Sequence, residues 1–197
     1  MPRLFEKPES IPGLTHPTLT FSDSLTIELG AQRGVLELRW MGRGHTEGDI
    51  VAWLPKPGVV FTGDLVESEA ALYTGDAFHL DWMAGTLDAV RALDAKALVG
   101  GRGEVVRDTE VSNAIEQTRS FLLTLRDAVA PVKEQGGTLK HAFDRAHAAL
   151  APAYGAWPIF EHCLPFDVSR LWDELEGKAP VIWTAERDRA VWDLLQN

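Results

Sequence analysis

The spacing of the apolar residues changes along the chain, from the two-residue period of strands to the three- and four-residue period of helices. Up to about residue 64 apolar positions alternate with polar ones or form short runs, and after about residue 108 they repeat in steps of three and four. The first part predicts four strands, at residues 25–29, 35–40, 50–54 and 59–62. A helix and a short strand at 96–99 follow before the helical part begins. This order of elements is typical of an α/β protein.

Individual residues refine these boundaries. The apolar run 59–62 predicts a strand that is buried on both faces. Residues 65–80 have no period and predict a long loop, in which His79 is expected to be solvated. Pro152 is expected to end the second C-terminal helix, because proline interrupts helical hydrogen bonding. Four polar residues stand where a helix N-cap is expected: Asp81, Thr138, Asp167 and Thr184.

The composition limits the classes of partner and the location. The formal net charge is -10, so the chain has no general attraction for nucleic acid or an anionic membrane, and neither is expected as a partner. No apolar run is long enough to cross a bilayer, and residues 1–10 lack the apolar centre of a secretion signal. Cys163 is the only cysteine, which excludes an internal disulfide framework. A single free thiol fits a reducing compartment, so we expect a cytoplasmic location.

Two polar motifs flank the third and fourth predicted strands. His45 lies in a glycine-flanked loop just before the third strand, and Asp64 follows the fourth. If these strands are neighbours, the chain reverses once between them and both side chains reach the same rim of the sheet. An imidazole and a carboxylate that converge are donors for a hard or borderline metal ion. Asp49, or a backbone group of the Gly48 turn, is expected to hold the other ring nitrogen of His45. The alternative is a surface histidine and an unrelated turn aspartate.

The residues of two motifs resemble those in the second half of metallo-β-lactamase superfamily sequences. The motifs are His45-Thr46-Glu47-Gly48-Asp49 and Phe61-Thr62-Gly63-Asp64. The tail segments 160–166 and 183–188 resemble the helical C-terminal extension of one hydrolase-like branch. The resemblance implies the second half of a four-layer αββα sandwich. It also implies that His45 ligates zinc and that Asp64 bridges two metal ions.

This resemblance sets the expected organisation of the chain. Residues 1–18 are expected to form an extended lead-in, since they are rich in proline. Residues 19–108 are expected to form a metallo-β-lactamase-like half-domain, and residues 109–197 a helical C-terminal extension.

The sequence departs from the family's pattern at two points. The principal ligand motif, His-x-His-x-Asp-His, is absent, because no two of the six histidines stand two residues apart. Where the family commonly has Gly-His-Gly, this chain has Gly101-Arg102-Gly103, and a guanidinium has no free lone pair for a metal. His45 and Asp64 are thus two of the four ligands that zinc normally takes, with His162 as a third candidate. Zinc is the expected ion, with iron or manganese as alternatives.

The resemblance implies a metal-dependent hydrolase that acts on a small ester, thioester or amide-like substrate through a metal-bound hydroxide. Arg102 is a candidate to bind a carboxylate or phosphate of that substrate, and its alternative is a structural salt bridge. The missing ligands predict that this chain alone is incomplete, and that a complementing N-terminal segment or a second chain supplies the rest. The alternative function is a metal-free remnant that acts as a ligand-binding or oligomerisation module. Both predict a homo-oligomer or a covering segment, because half of a two-sheet core leaves an apolar sheet face.

Overall fold

One mixed β-sheet of six strands forms the centre of the structure, and its strands lie side by side in sequence order. This computed structural model describes residues 16–181 and 183–196. Residues 1–15 of the predicted lead-in therefore lie outside the described residues. The strands are β1 (Ser24–Glu28), β2 (Val35–Trp40), β3 (Ile50–Leu54), β4 (Val59–Gly63), β5 (Ala97–Gly100) and β6 (Val106–Arg107).

Short turns make the first four strands antiparallel to one another. Gly30 adopts φ +89°, a conformation that favours glycine, and the Leu29 N–H donates to the Gly34 carbonyl at 2.9 Å to close the first hairpin. A helical crossover joins β4 to β5, so these two strands are parallel, and β6 returns antiparallel to β5. The predicted strands, and the expected neighbourhood of the third and fourth, are confirmed.

The two faces of the sheet differ in their burial. Val51, Trp53 and Val60 point to one face and are at most 8% exposed beneath the helices. The cross-strand register places only apolar side chains on the opposite face along β1 to β4, and each is half-buried or exposed. We call this surface the open face; it consists of Leu25, Ile27, Leu36, Leu38, Trp40, Ile50, Ala52, Leu54, Val59 and Phe61. The prediction that β4 is buried on both faces is wrong, because Phe61 is 43% exposed on the open face.

Helices follow the sheet and cover its other face. A short helical segment, α1 (His79–Asp81) and α2 (Leu87–Arg91), begins the crossover, and a π-helical turn, Trp82–Thr86, lies between its two parts. Four longer helices form the C-terminal half. The helices are α1 (His79–Asp81), α2 (Leu87–Arg91), α3 (Thr109–Glu134), α4 (Leu139–Tyr154), α5 (Phe160–Glu174) and α6 (Ala185–Gln196). The α/β class predicted from the sequence is confirmed, and no described helix is long and apolar enough to span a membrane.

The predicted helix ends are right in two cases. The Thr138 hydroxyl accepts a hydrogen bond from the His141 N–H at the start of α4, at 3.2 Å. The Thr184 hydroxyl accepts one from the Arg187 N–H at the start of α6, also at 3.2 Å. Both are N-cap bonds of the kind that satisfy free amide groups at a helix start.

Three predicted helix ends are wrong. The crossover helix begins at His79, so Asp81 lies inside the helical segment and not at its N-cap. Helix α4 runs past Pro152 to Tyr154, since a proline in the last turn removes only one hydrogen bond near the end. Asp167 lies in the middle of α5, where it is fully buried and accepts bonds from another segment.

A buried polar network holds the loop after β4 against α5. Thr74 donates to Asp167 Oδ1 through its backbone N–H at 2.8 Å and through its hydroxyl at 2.9 Å. The His79 ring lies between the Thr74 hydroxyl, at 2.8 Å, and Glu174 Oε2, at 2.7 Å. His79 is fully buried, so the prediction of a solvated loop residue is wrong. These bonds hold the segment from Thr74 to His79 in place against α5.

Candidate metal site

Three loops meet at one edge of the sheet because of the strand directions. Asp64 directly follows β4 and Arg102 follows β5, and the ends of two parallel neighbours lie at the same edge. The loop that contains His45 precedes β3, which is antiparallel to β4, so it reaches that edge as well. The structure therefore brings together three of the residues that the sequence singles out.

The backbone around His45 is held by close packing. Gly44 is buried, and a Cβ atom at this position would lie 2.5 Å from Leu65 Cδ2, so a larger residue would force Leu65 to move. The Gly44 carbonyl accepts from the Phe78 N–H at 2.8 Å. The Trp82 indole donates to the Leu65 carbonyl at 3.1 Å and packs edge-on against the His45 ring. The imidazole is thus presented by a fixed loop.

His45 and Asp64 face each other across the rim. His45 Nε2 lies 3.7 Å from Asp64 Oδ2. Two donors that each sit roughly 2 Å from one ion are separated by at most roughly 4–5 Å. The pair therefore has a separation that one shared ion requires, although ligation itself stays a prediction.

Asp49 lies on the Nδ1 side of the His45 ring. Its Oδ1 is 3.9 Å from His45 Nδ1, which is an ion-pair distance. The Thr46 hydroxyl donates to Oδ1 and the Thr46 backbone N–H donates to Oδ2, both at 2.6 Å. Burial works to raise the pKa of Asp49, but the contacts with His45 and Thr46 outweigh it and hold the pKa below its ordinary value. Asp49 is therefore a carboxylate at neutral pH, and its role in orienting the ring stays a prediction.

Arg102 has two carboxylate neighbours. Its Nε donates to Glu67 Oε2 at 3.2 Å and lies 3.0 Å from Oε1, and its Nη2 lies 3.8 Å from Asp64 Oδ1. Nη2 is buried and makes no hydrogen bond within the part of the chain that the structure describes. The side chain is 36% exposed, so a substrate role for Arg102 stays a prediction. Its structural salt bridge, the alternative drawn from the sequence, is present.

Glu67 is a buried carboxyl group at the base of the rim. Its side chain has no exposed surface. Burial raises the pKa of Glu67 to about 8, an effect that Arg102 opposes and the nearby Asp64 carboxylate strengthens. Within this pair Glu67 is thus shielded from solvent, while Arg102 is partly exposed.

The Oδ1 side of Asp64 is packed against the turn that follows β5. The Gly101 N–H donates to the Gly63 carbonyl at 2.8 Å. A Cβ atom at position 101 would overlap Asp64 Oδ1 and would lie 3.3 Å from Glu67 Oε1. The turn thus passes close to Oδ1, while Oδ2 faces His45.

An aromatic wall extends from the rim towards the C-terminal helices. Tyr73 packs against His45 with ring centroids 6.3 Å apart, and against Phe166 of α5 at 5.3 Å. Phe166 in turn contacts Trp183 at 4.7 Å. Burial raises the pKa of Tyr73 to about 12, so its hydroxyl stays protonated at neutral pH. The wall gives this side of the rim an apolar surface.

The third candidate ligand does not join the pair. His162 is exposed on α5, and its ring packs on the far end of Phe166, with centroids 5.6 Å apart. Among the described residues no group of three or more histidine, cysteine, aspartate or glutamate side chains could hold a metal ion. Cys163 is buried, and burial raises the pKa of its thiol to about 12, as expected for an inert residue. The described residues thus provide two candidate donors of the four that zinc normally takes, and ligation by them stays a prediction.

Three residues that shape the site were not among those predicted from the sequence. Glu67 and Tyr73 lie in the loop after Asp64, where no period marks them, and Asp167 comes from a helix about a hundred residues away. The one available signal is Glu67 directly after the apolar pair Leu65-Val66, which favours a partnered, buried carboxyl group.

No family model matches the chain. Over 96 residues the chain is 34% identical to the metallo-β-lactamase type 2 of Bacteroides fragilis, a match that covers 47% of this chain and 38% of that protein. The predicted resemblance to the metallo-β-lactamase superfamily is confirmed. Because the chain spans well under half of this relative's length, the activity of the whole relative is not carried over with the resemblance.

Solved metallo-β-lactamase structures are also similar to this chain. The DIM-1 enzyme is 27% identical, with 52% of this chain and 46% of that one covered at a TM-score of 0.43. The enzyme from Pontibacter korlensis is 28% identical, with 55% and 50% covered at a TM-score of 0.47. These superpositions are partial, and the resemblance to the superfamily rests on the sequence match.

Proposed function

We propose that this chain is one part of a metal-dependent hydrolase, and that a segment outside the described residues completes its metal site. The observation that carries the proposal is the 3.7 Å separation of His45 Nε2 and Asp64 Oδ2 at a rim whose loops are fixed by packing. The expected ion is zinc, with iron or manganese as alternatives, and it would be held by these two side chains and by donors from the completing segment. When bound, such an ion acts as a Lewis acid and activates water near neutral pH.

The chain's own residues prepare the rim for that role. Asp49 keeps the Nδ1 side of His45, which leaves Nε2 directed at Asp64. Gly44 and Trp82 prevent the loop from moving away. A ligand held in place before the ion binds loses little conformational freedom on binding, and this favours affinity.

The open face supports a completing partner. Ten apolar side chains on four strands form a continuous surface that carries no charge. A groove of about 420 Å³ adds Leu19 and Phe21 beside Trp40 and Ile50. An apolar patch of this extent is uncommon on a monomer and marks a surface that another layer covers. The cover is either a complementing N-terminal segment or a second copy of this chain.

The substrate class follows from the rim's surroundings. An apolar aromatic wall on one side and the guanidinium of Arg102 on the other suit a small ester, thioester or amide-like substrate that also carries a carboxylate or phosphate. The wall would take the apolar part, and the exposed part of Arg102 the anionic group. We expect little or no hydrolysis by this chain without the completing donors.

The second candidate is a metal-free module that binds a ligand or assembles through the open face. One observation favours it: Arg102, which cannot ligate, lies beside Asp64 in the place of a third donor. In this function His45 and Asp64 form a structural ion pair, and the open face is the only interaction surface that is needed.

Zinc binding separates the two functions. Equilibrium dialysis of the purified 197-residue chain against zinc should give saturable binding that His45→Ala and Asp64→Ala each weaken at least tenfold, because each removes one of two protein donors. His141→Ala, an exposed histidine on α4, is the matched control and should bind as the wild type does. Absence of saturable binding at millimolar zinc, or equal binding by all variants, would contradict the metal-dependent function and favour the metal-free module.

A further inference from the structure

The two oxygens of Asp64 have different surroundings. Oδ2 faces the His45 imidazole at 3.7 Å, and Oδ1 faces the Arg102 guanidinium at 3.8 Å. A carboxylate can hold two cations, one at each oxygen. In this chain one of these two positions already has a cation, and that cation is part of the protein.

Arg102 is held where it is. Its Nε contacts the fully buried Glu67 carboxyl, so the guanidinium cannot swing away without leaving that group buried and alone. Its Nη2 is itself buried and makes no hydrogen bond to any described residue, and it is directed at the Asp64 side of the pair. The positive charge is therefore a permanent feature of the Oδ1 side.

The turn after β5 passes close to the same side. A Cβ atom at position 101 would overlap Asp64 Oδ1, so the turn narrows the approach to this oxygen. The main obstacle to a second ion at Oδ1 is the charge of Arg102, and the nearby turn adds to it.

We propose that the Arg102 guanidinium acts as a built-in cation at Asp64 Oδ1, so that this rim takes a single divalent ion, on the Oδ2 side shared with His45. The inference rests on the proposed function, since it concerns the number of ions at that site. It assigns Arg102 the role of a positioning residue that sets metal stoichiometry and affinity. It also predicts that the positive charge of Arg102 opposes the ion that the site binds.

The test is zinc stoichiometry and affinity in Arg102 variants, measured by competition with a chromophoric chelator and by equilibrium dialysis. The wild type should saturate at one zinc per chain. Arg102→Met should bind zinc about tenfold more tightly, which is the effect of removing a unit charge near a divalent ion even at a water-like dielectric constant. Arg102→Lys keeps the charge and should bind as the wild type does. Arg102→Met leaves Glu67 without its partner, so the double variant Arg102→Met/Glu67→Gln is measured beside it, with circular dichroism as the check of folding.

The outcomes are distinct. Two zinc ions per wild-type chain, both lost in Asp64→Ala, would overturn the single-ion inference and leave the proposed function standing. Unchanged affinity in Arg102→Met and in the double variant would overturn the role of the charge. Absence of zinc binding in every variant would overturn both the inference and the proposed function. One ion per chain, with tighter binding only where the charge is removed, supports the inference.

Discussion

The open face gives the most direct prediction about how this chain exists in solution. Phe61 lies on β4, the last of the four strands of this face, pairs with Ala52 of β3 across the strands, and is 43% exposed. We expect the isolated chain to self-associate through the open face, because no described element covers it. Phe61→Glu should prevent this association, since it places a charge within an apolar contact surface.

The magnitude follows from the exposed area of Phe61. A buried aromatic side chain covers about 150–250 Å², and the exposed fraction of Phe61 is 43%, so roughly 80 Å² remains to be buried on association. At about 25 cal/mol per Å² this area contributes about 2 kcal/mol per copy. A symmetric dimer buries Phe61 twice, so its dissociation constant should rise by about a thousandfold, as about 4 kcal/mol implies.

Sedimentation velocity over a range of chain concentrations measures this change. The matched control is Leu194→Glu on α6, which introduces the same charge at a side chain that is 56% exposed and lies outside the open face. The wild type and the control should associate alike, while Phe61→Glu stays monomeric at concentrations at which they dimerise. A wild type that is monomeric throughout, or a Phe61→Glu variant that associates as the wild type does, would refute the reasoning.

Three further predictions concern single residues. Gly101→Ala should weaken zinc binding in equilibrium dialysis at least threefold, because the new Cβ displaces the Asp64 carboxylate, and unchanged binding would contradict the close packing described above. Burial raises the pKa of Asp167 to about 8 from the ordinary value of 3.8, so the folded chain keeps a proton that the unfolded chain releases, and stability falls as pH rises from about 4 to about 8. The free energy of unfolding, measured in urea, should therefore fall between pH 5 and pH 8 in the wild type. In Asp167→Asn this fall should be smaller by on the order of a few kcal/mol, and an equal fall in both proteins would refute a buried neutral carboxyl group. Thr138→Ala should lower the free energy of unfolding by about 1 kcal/mol through loss of the α4 N-cap, and a change near zero in the same assay would show that the cap contributes nothing.

Local patterns predicted the strands and one part of the site. β2 and β3 alternate or run apolar between glycine and proline turns, so their limits could be placed from the sequence. His45 and Asp64 are only two strands apart in an antiparallel sheet, and their meeting needs no information from the rest of the chain. Contacts between near neighbours in sequence are the ones that periodicity describes.

Long-range contacts were not predictable in the same way. The bonds from Thr74 to Asp167 join residues 93 positions apart, and those from His79 to Glu174 join residues 95 positions apart. The residue type of Asp167 alone favours an N-cap. Its carboxyl group instead accepts hydrogen bonds from Thr74 in another segment, which explains its position in the middle of α5. The burial of His79 depends on the same helix, which its own surroundings in sequence do not contain.

The exposure of β4 has a different cause. A run of apolar residues indicates that both faces of a strand are suited to burial, and this is true of Phe61 and Val60 alike. Which faces are actually covered depends on how many layers pack against the sheet, and the described residues supply one. The wrong prediction and the open face therefore have the same cause. β4 has the composition of a strand buried on both faces, but the described helices cover only one of them.

The covering of the open face also bears on the chemistry at the rim. The Trp40 indole donates to the Glu47 carbonyl, and Ile50 starts the strand that follows the His45 loop, so the open face reaches the loop itself. A layer placed over these residues would remove water from one side of the rim and lower the local dielectric constant, which strengthens the attraction of Asp64 for an ion and the repulsion from Arg102 together. In the wild type the stronger attraction and the stronger repulsion partly cancel, so covering the face should change its zinc affinity little. In Arg102→Met only the attraction remains, so covering the face should increase the ratio of the two zinc affinities. A difference of the same size in the associated chain and in the monomeric Phe61→Glu background would mean that the rim is solvated in both states, and that the open face has no part in its chemistry.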